Sequence, residues 1–487
     1  MNTPSIKKNF IMNALLTMSA FIFPLITFPY VSRILLPEGT GKVQFATSFV
    51  AYFNMIAQLG IPTYGIRACA RVREDQAALT RTVHELLTIN LGMCLVSYIA
   101  LGFSIALIPR VNQDKILVLI ISITILLNAV GMEWLYKALE QYTYITIRSV
   151  AFKAVSVAAM FILVHRQEDY LIYGAISIFA ASASNILNLL NARKYISFCS
   201  IGDYNYWRHI KAVLIFFAMA CATTVYTNLD EVMLGLMKTD ADVGYYHAAV
   251  KIKGILVSIV TALGAVMLPR ASYYIEHAQL KEFKRITHKA LHFVLIIALP
   301  VMLYFIIFAQ EGILFLSGKA FEPAVLPMQI IMPTVLLIGI TNVLGIQILV
   351  PLGREKIVLY SEVSGAIVDL ILNLVLIPKY AAVGAAIGTL CAEIVVFGVQ
   401  YLTLRTEVKE ALQEIRICTI LTAAALACAL TAWIKLLNLW CFWMLAVSAT
   451  VFVIVYCACL LHLKEQMAME LWEQIKSRVR RTISGRY

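Results

Sequence analysis

Two carboxylates stand side by side, Asp230 and Glu231, in a stretch that is otherwise almost wholly apolar or uncharged: AMACATTVYTNLDEVMLGLM, residues 218–237. An ionised side chain inside hydrocarbon is costly, so it marks a paired charge or a path for an ion or substrate. Two lysines, Lys251 and Lys253, follow in the next apolar run, and an earlier run holds Arg148 and Lys153. Cations below a membrane surface suit a phosphate-bearing anion, whose oxygens take charge-assisted hydrogen bonds from lysine and arginine. Arg33 completes the candidate cations. A further set, Glu362, Asp369 and Asn373, is spaced by seven and four residues, which places all three on one helical face. Such a stripe binds a coupling proton or sodium ion, or joins a buried hydrogen-bond network. Glu393 and Glu133 are further acids in apolar runs with no partner that spacing identifies.

These groups need a membrane around them, and the composition supplies it. Of 487 residues, 61% are hydrophobic and only 14% charged, and the mean hydropathy is +0.82. Soluble domains are nearer one-half apolar and one-quarter charged. A crossing needs roughly 20 mainly apolar residues. The runs 9–32, 43–63, 83–108, 115–136, 143–164, 170–192, 211–236, 244–268, 288–309, 324–350, 357–377, 382–404, 416–434 and 439–461 each qualify, giving about fourteen. With the N-terminus inside, cytoplasmic segments hold 27 of the 40 Lys and Arg and external loops hold nine, which places both termini in the cytoplasm. Prolines at 24, 29, 323, 327 and 333 make kinks at those places.

Several other chemistries are disfavoured. The net charge of +12 sits in short clusters between apolar runs, as topology requires, and does not point to nucleic acid. The ten cysteines form no C-x-x-C and behave as small hydrophobes. His288 and His292 lie four apart without the Glu of a zinc helix; they read as a solvated helix end, and no metal is expected. PEGTGK (37–42) lacks the glycine and the Ser/Thr of a P-loop and reads as a tight external turn. Lys7 and Lys8 precede an apolar run without an obvious cleavage site, so a retained first helix is expected. The basic tail EQIKSRVRRTISGRY is expected to lie against anionic headgroups.

GKVQFA (41–46) opens the second run and GYYHAA (244–249) the eighth, an offset of 203 residues. Such an offset relates runs 1–6 to runs 7–12 as a parallel repeat. The chain is therefore read as an all-α integral membrane protein. It has an N-lobe over 1–200, a C-lobe over 201–410, two further helices within 411–465 and a cytoplasmic tail over 466–487. Asp230 and Lys251 fall at similar depth on either side of a turn near residue 240, roughly 10 Å below the outer surface at 1.5 Å per residue. Two readings follow. Asp230 or Glu231 pairs with Lys251 or Lys253 as a structural ion pair, or at least one lysine faces a watered cavity. Arg148 snorkels to the inner headgroups, or it joins Lys153 in that cavity.

Four stretches carry a resemblance: PLITFPYVSRILLPEGTGKVQFATSFVAYFNMIAQLGIPTYGIRACARVR, EWLYKALEQYTYITIRSVAFK, NLDEVMLGLMKTDADVGYYHAAVKI and LVPLGREKIVLYSEVSGAIVDLILNLVLIPKYAAVGAAIGTLCAEI. In order and spacing the chain resembles the Wzx-type oligosaccharide flippases of the multidrug/oligosaccharidyl-lipid/polysaccharide exporter superfamily. The resemblance implies two six-helix lobes, alternating access, and an undecaprenyl-diphosphate-linked repeat unit as substrate, turned from inner to outer leaflet. It also implies surrounding lipids, a polysaccharide polymerase and chain-length machinery as partners, and no cofactor beyond a coupling ion. Its D-x-x-x-L-G region maps onto Asp230 to Gly235, where Glu231 is an extra acid. A peptidoglycan-precursor flippase and a cation-coupled drug exporter remain the near alternatives. A membrane polymerase or ligase would need a larger external loop than the chain offers.

Overall fold

The computed structural model describes residues 6–405, 407, 415–437, 439–470, 472, 473, 476 and 477. Among these the chain is helical, with no strand. The principal helices are α1 (Ile6–Gln58), α2 (Ile61–Arg71), α3 (Gln76–Leu107), α4 (Lys115–Gly131), α5 (Tyr142–Leu163), α6 (Tyr170–Ile178), α7 (Trp207–Met237), α8 (Asp240–Glu276), α9 (Leu280–Ile307), α10 (Pro333–Asn342), α11 (Glu355–Thr403), α12 (Ile417–Ala432) and α13 (Cys441–His462). Eleven helices among the described residues are long and apolar enough to cross a membrane, or twelve if the bent pair Lys319–Ile331 and Pro333–Leu349 forms one crossing. The chain is thus a multi-span helical membrane protein. It divides into two compact units, Met1–His247 and Ala248–Tyr487.

In the first unit α1 is the hub, packing on α3, α4, α5 and α7. Its 53 residues are broken at Leu36 (φ 58, ψ 179). Pro37 disfavours the α conformation in the residue before it, so the chain turns through this one residue and resumes as helix at once. The expected external turn at PEGTGK is therefore shorter than expected, since residues 37–42 are already helical. Buried Val31, Leu35, Met160 and Val164 join α1 to α5. Outward positions are greasy: Leu95, Phe103 and Leu107 of α3 are 63%, 65% and 76% exposed. Apolar groups face outward and polar ones inward, as a lipid solvent demands.

In the second unit α11 breaks at Ala381 (φ 47, ψ −125), three residues after Pro378. Beyond the break, Gly384 sits so close to the Leu376 carbonyl that a Cβ there would lie 2.5 Å from it, an approach that the missing side chain allows. The final helices α12 and α13 pack on each other, and α12 on α9. Polar pins hold this pair to α9 and to the short helix Ala309–Ser317 after it: Lys435 Nζ meets the Ile307 carbonyl at 2.6 Å and Glu311 at 3.1 Å. Tyr304 and Ser448 share a 2.8 Å hydrogen bond, and Tyr456 donates to the Ile296 carbonyl at 2.8 Å.

His292 corrects an expectation. It is 3% exposed, and its Nε2 lies 2.5 Å from Glu465, just beyond α13, so it is a buried anchor and not a solvated helix end. A sequence spacing of 173 residues gave no hint of that partner. All ten cysteines are unpaired. The tail residues 478–487 lie outside the described residues.

Burial pushes the Glu465 carboxyl up, but the His292 ring and the Ala468 amide outweigh it and hold it below the usual carboxylate range. A depressed pKa contributes stability that is complete above the unfolded value, about 4.3, and is lost as pH falls through the lower folded one. Hydrogen exchange of residues 464–470, corrected for intrinsic rates, should therefore stay flat from neutral pH to about 5 and rise only below about 4. A rise already at pH 6 would show that the Glu465 carboxylate is not what anchors this segment.

Candidate functional site

Asp230 and Glu231 are 7% and 5% exposed, near the last turns of α7. Glu231 accepts hydrogen bonds from Gln44 Nε2 at 2.6 Å and from the Ser48 hydroxyl, and its other oxygen meets His247 Nδ1 at 2.8 Å. Asp230 accepts a hydrogen bond from the Tyr246 hydroxyl. Three donors therefore converge on one buried carboxylate from α1, past its break, and from the first turns of α8. Gln44 and His247 stand 203 residues apart, the offset of the faint sequence repeat.

The neighbouring backbone repeats that relation. A Cβ on Gly41 would overlap the carbonyl of Asp240, and one on Gly244 would overlap that of Pro37. Positions 37 and 240, like 41 and 244, again differ by 203. Only glycine permits so close a helix-to-backbone approach. Arg110, in the turn between α3 and α4, closes the same end. It binds Asp114 at 2.7 Å, pairs with Asp240, donates to the Gly235 carbonyl at 3.1 Å and lies over the Phe45 ring.

The predicted cations divide. Arg148 does not snorkel: it is 6% exposed, donating to the Ser184 carbonyl at 2.5 Å and to Asn185 Oδ1 at 3.2 Å, with Glu133 at 3.7 Å. Its guanidinium turns inward because Glu133 and two acceptors lie there, a set that separate segments contribute. Lys153 donates to the Ser19 hydroxyl at 2.8 Å and is half-buried. Arg33 is exposed and donates to the Pro29 carbonyl one turn back at 2.5 Å. Lys251 and Lys253 belong to the second unit and are both half-buried.

In the second unit Asp369, Asn373 and Glu393 are buried while Glu362 is half-buried. Asp369 and Asn373 share the face predicted for them: a Cβ on Gly388 would lie 2.5 Å from Asn373 Oδ1 and 2.9 Å from Asp369 Oδ1.

Sequence reasoning missed two polar assemblies of the first unit. From Arg148 a relay of amides runs through Asn185, whose Nδ2 donates to Asn128 Oδ1 at 3.1 Å, to Asn54, whose Oδ1 accepts from Asn128 Nδ2 at 3.2 Å. Near the start of α7, fully buried Glu85 accepts from Arg208 Nε at 2.9 Å, His209 Nε2 at 2.7 Å and the Asn205 amide at 2.7 Å. His209 also meets the Tyr64 hydroxyl at 2.8 Å. The available signal was a run of asparagines and one acid inside apolar segments, which spacing alone does not connect. Among the described residues no group of three or more His, Cys, Asp or Glu could hold a metal ion.

The polysaccharide biosynthesis protein family matches residues 6–275, more than half of the chain. The chain belongs to this family. A second family, MatE, matches residues 215–375. The chain is 23% identical over 406 residues to the "Putative O-antigen transporter" of Escherichia coli (strain K12), covering 83% of this chain and 98% of that one. Among solved structures, the lipid II flippase MurJ in an inward closed conformation shares the fold with a TM-score of 0.68 at 16% identity, over 92% of this chain and 98% of that one. A multidrug resistance MATE family transporter of the MOP superfamily, in an inward-facing conformation, has a TM-score of 0.62 at 13% identity, over 83% and 99%. Both solved structures share the fold of this chain.

Within this family member, Glu231→Ala should leave Gln44, Ser48 and His247 without their shared acceptor and destabilise the first unit by about 3 kcal/mol, whereas Glu231→Gln keeps one acceptor oxygen and should cost about half as much. Melting temperatures of the detergent-purified variants measure this. An alanine variant as stable as wild type would show that the carboxylate is not held by these donors.

Proposed function

We propose that the protein moves undecaprenyl-diphosphate-linked oligosaccharide repeat units from the inner to the outer leaflet of the bacterial cytoplasmic membrane, by alternating access, for surface polysaccharide synthesis. The observation that carries this reading is the relationship to the Escherichia coli chain, which spans nearly all of that relative. The protein is a transporter in this reading, with no covalent chemistry to perform.

The breaks at Leu36 and Ala381 support counting α1 with α2, and α11, as two crossings each. With the bent pair, that brings the total to fourteen, and the distribution of Lys and Arg then favours both termini inside. The reciprocal glycine contacts support a parallel repeat of two six-helix lobes. Lys153, Lys251 and Lys253 are the proposed contacts for the diphosphate. Arg148, already engaged by Glu133 and Ser184, and exposed Arg33 are weaker candidates. Asp369, Asn373 and Glu393, with Glu362 at the stripe's end, are the proposed route for a coupling proton or sodium ion. Polymerase and chain-length proteins are the proposed partners.

Each charge that crosses is worth about 2.3 kcal/mol per 100 mV. A diphosphate diester with roughly two charges would gain about 4.6 kcal/mol per 100 mV by moving outward from an inside-negative cell. In proteoliposomes, leaflet-resolved transport of a defined lipid-linked oligosaccharide should quicken with an imposed inside-negative potential. It should fall at least about tenfold in Lys153→Ala and Lys251→Ala, a loss of roughly 1.4 kcal/mol or more. Rates indifferent to potential would remove the electrical driving force, and unchanged rates in both variants would remove the anion site.

The MurJ fold match favours a second reading, a peptidoglycan-precursor flippase. Cells lacking the gene separate the two: trapped repeat units and lost surface glycan support the first, whereas lysis with accumulated wall precursor supports the second.

A further inference from the structure

The first unit contains a cleft of about 490 Å³ between the last turns of α1, the start of α2 and the middle of α7, lined by none of the charged groups above. Its polar wall is formed by Asn54, Gln58, Thr63, Thr223 and Asn228, with the Phe216 ring among its apolar residues, and none of its lining residues is charged. That volume lies in the range that holds one small polar molecule.

The wall's hydrogen-bonding capacity is partly unspent. Asn54 Oδ1 is occupied by Asn128, which leaves the Asn54 Nδ2 hydrogens as donors. Gln58 Nε2 is buried and has no partner among the described residues. Asn228 spends its Nδ2 on the Thr224 carbonyl at 3.0 Å and the Thr227 hydroxyl at 2.9 Å, which leaves Oδ1 as an acceptor. Two amide donors, an amide acceptor and threonine hydroxyls therefore border one cleft beside an aromatic face. Lipid is a poor occupant, because amides left without partners in hydrocarbon cost several kcal/mol each on the order of the backbone penalty. A diphosphate is equally poor, because the wall has no cation to receive it.

We propose that this cleft is a subsite for a neutral sugar residue of the carried glycan, whose hydroxyls both donate and accept, with Asn54, Gln58 and Asn228 as specificity-determining residues. The proposal rests on the flippase reading and deepens it: the lipid diphosphate is recognised by charge elsewhere, and the sugar by uncharged amides here. An ionised sugar such as a uronic acid is excluded from this position, since its carboxylate would be buried without a counter-charge.

The test uses the full-length protein in phospholipid nanodiscs and two probes, the lipid-linked glycan extracted from a strain deleted for this chain and bare undecaprenyl diphosphate. Wild type should bind the glycan lipid at least about tenfold more tightly than the bare one. Asn54→Leu, Gln58→Leu and Asn228→Leu should each weaken glycan-lipid binding roughly three- to tenfold, as expected for one lost hydrogen bond, with bare-lipid binding unchanged. Retained bare-lipid binding reports a folded protein. Gln58→Leu carries the test should another variant fail to fold, because its Nε2 holds nothing in the protein together. Equal losses for both lipids, or no loss for either, would overturn the subsite. So would a wild type that binds both lipids alike, and that result would leave the flippase reading standing. A wild type that binds neither lipid would overturn both.

Discussion

A carboxylate buried at membrane depth must be met by donors, and that constraint organises the first unit. Glu231 has Gln44, Ser48 and His247 within hydrogen-bonding reach, and none of the three could serve from a distance. Their arrival requires the second half of α1, the end of α7 and the start of α8 to run almost in contact. Gly41 and Gly244 are what make that contact sterically possible. Arg110 then closes the same end through Asp114 and Asp240. A cluster with three donors on one acid is a tight fastening, yet each bond is individually modest and reversible. That combination fixes the local approach of these three segments without a single dominant bond.

Around this fastening the usual order of a soluble protein is inverted. Leucine, isoleucine and phenylalanine cover the outside, while serine, asparagine and arginine occupy the interior. Association of helices in lipid cannot rely on burying apolar area, so close approach at small residues and interhelical hydrogen bonds take its place. Gly384 and Gly388 against the first half of α11 show the former, and the Asn54, Asn128 and Asn185 relay shows the latter.

Much of this architecture is legible in the residues themselves. Apolar run length locates the crossings because every backbone amide must be satisfied within its own helix. The Asp369 and Asn373 face follows from helical period alone. What one-dimensional reading misses is the meeting of distant segments. Arg148 looks like a candidate for the headgroups until Glu133, Ser184 and Asn185 are found beside it. His292 looks solvated until Glu465 is found beyond the last helix. The 203-residue offset is faint in sequence because only glycine and the hydrogen-bonding positions need to be kept, while the greasy residues between them are interchangeable.

The amide relay has a consequence for how cargo preference could change over time. Asn54 presents its donors to the cleft only because Asn128 occupies its oxygen, Asn185 orients Asn128, and Arg148 engages Asn185. Replacing Arg148 or Asn185 would let the amides downstream rotate and exchange donor for acceptor at a wall neither residue touches. Selectivity would then drift through substitutions buried in the helix packing, invisible to any comparison confined to the residues that line the cleft.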